Sequence, residues 1–154
     1  MSARDAAAGL REPVDHFDQL AQLERAALGP HAGEPMRVCE TARAASLRLQ
    51  AEEPAAPERG MLARLLGGGR AEREHERRMD AWDEALDALE AETEAAMARW
   101  RASADPALLA AATADRDAAF RSLADRGLFD AELAAGTAAE PIGTMMVRSA
   151  LAHD

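Results

Sequence analysis

Six acidic residues, Glu76, Asp80, Asp83, Asp87, Glu90 and Glu94, follow one another at steps of four, three, four, three and four. At 3.6 residues per turn this spacing stacks them along one side of a helix. From Asp80 to Glu94 no basic residue intervenes. Like charges at these steps repel by about a few tenths of a kcal/mol per pair. Two uses compete: a docking surface for a basic partner, or a solvated face partly neutralised by Arg from neighbouring helices.

Other residues offer narrower chemistry. Glu72 and His75 have the Glu-x-x-His spacing of carboxylate-bridged di-iron bundles, in which both side chains reach one metal. A complete site needs a second such pair, yet His16, His31 and His153 have no Glu three residues before them. Cys39 is the sole cysteine, so an intramolecular disulfide and a multi-cysteine metal site are excluded. It reads as a small apolar residue on a helix. Arg70, Arg73, Arg77 and Arg78 interleave with Glu72, Glu74 and Glu76, which favours ion pairs within the helix.

Gly67, Gly68 and Gly69 are not followed by the Lys-Ser/Thr of a phosphate loop, and no Gly-x-Ser-x-Gly elbow occurs. His16 beside Asp15 and Asp18 is a common surface arrangement. Met36, Met61, Met79, Met97, Met145 and Met146 are spaced as core residues. Met145 and Met146 are the expected exceptions, exposed on a loosely docked last helix. No metal, cofactor or catalytic group is assigned from the sequence.

The elements that carry these residues are helical. The chain has 154 residues, about the size of one domain. It has one Ile and no period-two run of β-branched or aromatic residues. Its 48% hydrophobic content is rich in Ala, a strong helix former. Pro13 is expected to open a helix reaching Leu28, with Leu10, Val14, Phe17, Ala21 and Leu28 on one stripe. Pro35 opens a second, to about Glu52, with Val38, Ala42, Ala45 and Leu49 on one face.

Residues 54–69 read as a flexible linker, with a short apolar turn at 61–66 and a break at the three glycines. A long helix near 70–102 then carries Trp82, Leu86, Leu89, Thr93, Met97 and Trp100 along a narrow seam. Asp105 and Pro106 have the types of an N-cap and first helical residue. The helix they open carries Leu109, Ala112, Ala119, Phe120 and Leu123 and stops near Gly127. A turn or two follows within Leu128–Ala135. Thr137-x-x-Glu140 suggests a capping box before a last helix bearing Ile142, Met145, Met146 and Ser149.

The expectation is a single all-α domain over residues 1–154: an antiparallel bundle of about five helices with short turns and a long central helix. Residues 86–123 resemble the helical hairpins of flagellar export chaperones, in a pattern that many bundles share.

The net charge of −10 disfavours direct binding to nucleic acid or an anionic membrane. No stretch approaches ~20 apolar residues, and the first residues, MSARDAAAGLREP, lack the apolar core of a signal peptide. A cytoplasmic protein is expected. All 18 basic residues are Arg, as in a GC-rich bacterial genome. Three functional readings follow. The first is a non-enzymatic protein-binding bundle (adaptor, chaperone or inhibitor) using the acidic face. The second is a ferritin-like metal protein. The third is a structural subunit, possible as a homodimer, that self-associates through the Trp82–Trp100 seam.

Overall fold

The computed structural model describes residues 1–56 and 68–152, and it is all-helical. Among the described residues there are seven α-helices and one 3-10 turn: α1 (Ala3–Gly9), α2 (Phe17–Leu28), α3 (Gly33–Ala51), α4 (Gly68–Ser103), α5 (Pro106–Asp125), α6 (Ala131–Ala138) and α7 (Thr144–Leu151). No helix among them is long and apolar enough to cross a membrane. The expected apolar turn at 61–66 and most of the expected linker lie outside the described residues.

α2, α5 and α7 form the body. Leu20 and Leu23 of α2 pack with Ala119, Phe120 and Leu123 of α5, together with Phe129 and Met145. Phe120 and Phe129 meet edge to face, with ring centres 5.9 Å apart. A second apolar cluster joins Leu28, Met97, Trp100, Ala112, Ile142 and Val147. Met97 and Trp100 bring the C-terminal end of α4 into the body. At this end Leu28 of α2, Ala112 of α5 and Val147 of α7 share one cluster with the α4 seam. Further out, α3 is its principal partner.

Four local expectations are corrected. No helix begins at Pro13. Pro13 and Val14 lie in a connection, and the Val14 N–H donates to the Leu128 carbonyl at 2.7 Å. The helix begins at Phe17, where the Gln19 side chain accepts from the backbone N–H groups of Asp15 and His16. The described part of the glycine run does not break the chain, because Gly68 and Gly69 already belong to α4.

Thr137 caps nothing. It lies inside α6, and its hydroxyl donates to the Leu133 carbonyl. The last helix is instead entered through Gly143, whose φ of 96° is the left-handed region that favours glycine. A Cβ there would lie 3.1 Å from Met97 Sδ. Met145 and Met146 are buried core residues, not exposed ones.

α1 was not anticipated. Seven residues of mostly Ala do not hold a helix alone. Asp115 of α5 accepts from the Ala3 and Arg4 N–H groups at 2.8 and 3.2 Å. Arg126 donates to the carbonyls of Ala7 and Leu10 at its other end. Each charge has the sign that the helix dipole favours there.

Candidate functional site

α3 and α4 form an arm. Thirty-six residues at 1.5 Å rise make α4 about 54 Å long, against about 28 Å for the nineteen residues of α3. The Trp82 indole N–H donates to the Leu49 carbonyl at 2.7 Å, which satisfies a last-turn acceptor of α3. α3 ends two residues later at Ala51. The first three turns of α4 therefore run past the end of α3.

The seam changes along the arm. Trp82, Leu86 and Leu89 are half-buried, whereas Thr93, Met97 and Trp100 are buried. Burial thus increases toward the body.

The acidic row lies on the flank of this arm, about 100° around α4 from the seam. Glu76, Asp80, Asp83, Asp87 and Glu90 are exposed, and Glu94 at its foot is half-buried. Among the described residues, none of the six forms an ion pair within 4.0 Å. Of the interleaved Arg residues, Arg78 pairs with Glu74 at 2.8 Å, one turn away. Glu94 influences Arg101 and Cys39. Burial, and then the charge of Glu24, raise the Cys39 thiol to about 11; Arg43 opposes this, while Glu40 and Glu94 add to it.

Glu72 is exposed and His75 half-exposed on the outer turns of α4. Among the described residues no three His, Cys, Asp or Glu side chains converge as a metal site would require.

A second charged arrangement had not been expected. Glu24 of α2 and Arg116 of α5 are both fully buried and pair at 3.0 Å. The Glu24 carboxylate also accepts from the backbone N–H groups of Gly143 and Met146, at 2.9 and 3.0 Å. It thereby caps the N-terminus of α7 from another helix. Arg116 donates to the carbonyls of Ala138 and Glu140 at the end of α6, and to Asp117. The pair therefore joins four helices.

Burial raises the Glu24 carboxyl above its ordinary value, and the hydrogen bonds from Arg116, Gly143 and Met146 oppose that shift. No buried side-chain nitrogen or oxygen among the described residues lacks a partner. This satisfied pair in the core is an organising element. A signal for it was present. Glu24 interrupts an apolar stripe of Leu20, Leu23 and Leu28, and Arg116 interrupts one of Ala112, Ala119, Phe120 and Leu123.

Compared with family models, with curated proteins and with solved structures, the chain finds no match.

Proposed function

We propose that this chain is a non-enzymatic protein-binding module, an adaptor, chaperone or inhibitor, whose α3–α4 arm presents the acidic face of α4 to a basic partner. The observation that supports this reading is the acidic row itself. It spans about 27 Å of helix at 1.5 Å per residue, is exposed along most of its length, and is unpaired among the described residues. Repulsion within such a row costs stability. An Arg- or Lys-rich surface would relieve it and gain on-rate from the acidic field.

The test is a pull-down with the wild-type chain and with a variant carrying Asp83→Asn, Asp87→Asn, Glu90→Gln and Glu94→Gln. The wild type should retain a stoichiometric partner at low salt and release it as salt rises. The variant should not retain it. Equal retention by both proteins would remove the acidic face from the mechanism.

A further inference from the structure

α3 carries a second face beside the one it packs on α4. Glu34, Val38, Thr41, Ala45 and Arg48 follow one another at steps of four, three, four and three. That is the spacing of a coiled-coil seam. These residues line an open groove of about 530 Å³ that runs along the arm between α3 and α4. Ala42 is buried at its floor, and Val38, Ala45, Leu89 and Ala96 are half-buried along it.

Four charged side chains also line the groove: Glu34, Arg37, Arg48 and Glu92. All four are exposed, and among the described residues none forms an ion pair within 4.0 Å. Their order along the groove fixes the occupant. Trp82 meets Leu49 at the outer end, and Met97 shares a cluster with Ala32 beside the start of α3, so the two helices run antiparallel. Glu92 therefore lies on the body side of Thr41, with Glu34 and Arg37. Arg48 stands on the outer side. The body half thus carries one net negative charge and the outer half one net positive charge.

A chain of net charge −10 repels its own copies unless the facing surfaces are locally neutral and matched. This groove is neutral, with two acids and two bases, and it matches itself when reversed. A copy laid antiparallel across it, about a two-fold axis beside Thr41, brings the basic end of one arm to the acidic end of the other. Both ion pairs form together because such a contact is isologous. A strongly basic partner would instead meet Arg37 and Arg48. We propose that two copies of this chain pair antiparallel through the α3 face of this groove, with Glu34 of each copy against Arg48 of the other. Glu92 and Ala96 lie on the other side of the Trp82–Trp100 seam from Asp83, Asp87 and Glu90. The acidic row therefore stays open in the pair, and neither reading depends on the other.

The test is sedimentation equilibrium of the full chain, with helix content checked by circular dichroism. The wild-type mass should rise from one chain toward two as concentration increases. Glu34→Arg and Arg48→Glu each set like charges against one another at both ends of the contact, and each should weaken pairing at least tenfold. An equimolar mixture of the two single variants restores opposite charges at both ends, and should pair again as a heterodimer. The double variant Glu34→Arg/Arg48→Glu should pair with itself.

A wild-type chain that stays monomeric at high concentration overturns the proposal and leaves the groove to a different partner. Unchanged pairing in either single variant, with helix content preserved, overturns it as well. So does a mixture of the folded single variants that remains monomeric, because the mixture changes only which charges face each other.

Discussion

Glu24 and the acidic row of α4 place the same functional group in opposite surroundings. Glu24 is sealed in the body, where Arg116 and two backbone N–H groups surround its carboxylate. Asp83, Asp87 and Glu90 stand in solvent on a helix that outlasts its neighbour, without ion pairs among the described residues. An acidic residue is thus an internal fastener in one region and a free surface charge in the other. The solvent that each carboxylate loses on folding makes the difference. A buried charge must recover its hydration from fixed partners, whereas an exposed one keeps it.

The sharpest way to break this comparison is at the buried pair. Glu24→Gln leaves the Arg116 guanidinium in the core with Asp117 as its remaining counter-charge, and Arg116→Met leaves the buried Glu24 carboxylate without its ion-pair partner. Removing one partner of a buried pair costs roughly 3–5 kcal/mol. Either single variant should lose about that much in denaturant unfolding, and Glu24→Gln should loosen α7 because its carboxylate caps that helix. The double variant Glu24→Gln/Arg116→Met should recover part of the loss. Strict additivity of the two losses would show that the groups act independently.

A smaller effect is expected next to the network. Gly143 carries the left-handed turn that delivers its N–H to Glu24. Gly143→Ala forces a Cβ into that conformation and against Met97, and should cost about 1–3 kcal/mol. Gly136→Ala, in open space within α6, is the control and should be neutral or slightly stabilising. Equal losses at the two glycines would mean that the α7 entry does not depend on the backbone at Gly143.

The row should respond in the opposite sense. The variant with Asp83→Asn, Asp87→Asn and Glu90→Gln removes like-charge repulsion and breaks no pair. Its stability should stay level or rise by about a few tenths of a kcal/mol per neighbouring pair. Any gain should shrink with added salt, because these charges are exposed. A loss above about 1 kcal/mol in thermal unfolding would show that the row supports the fold and would weaken its assignment as a binding face.

This contrast also explains what could be read from the sequence. The helices Gly33–Ala51, Gly68–Ser103 and Pro106–Asp125 were legible because periodicity and breakers are local signals, and Asp105 caps Ala107 as its type suggests. The acidic row was legible for the same reason. α1 was not read, although Ser2 and Asp5 form a local capping box at its start; the contacts that complete its two ends, from Asp115 and Arg126, come from more than a hundred residues away in sequence. The entry to α7 was misplaced at Thr137 for a similar reason, since its cap comes from Glu24 on another helix. Glu24 and Arg116 could have been paired from sequence only by noticing that each interrupts an apolar stripe with opposite charge.

Cys39 lies where the two regions meet and reports on both. Its thiol is raised to about 11, first by burial and then by Glu24, with smaller contributions from Glu40 and Glu94 against the opposing Arg43. A raised thiol has less of the reactive thiolate, so at pH 8 only about one molecule in a thousand is reactive. Alkylation of the folded chain by iodoacetamide should therefore be slow at pH 8 and rise about tenfold per pH unit toward 11.

Glu94→Gln removes a negative neighbour and should move that profile to lower pH by a small amount. Asp83→Asn, three turns further out on the arm, should leave it unchanged. A half-point near the ordinary thiol value would mean that Cys39 is not shielded by α3 packing. Equal shifts from Asp83→Asn and Glu94→Gln would mean that the outer row is felt inside the body and that the two regions are not electrostatically separate.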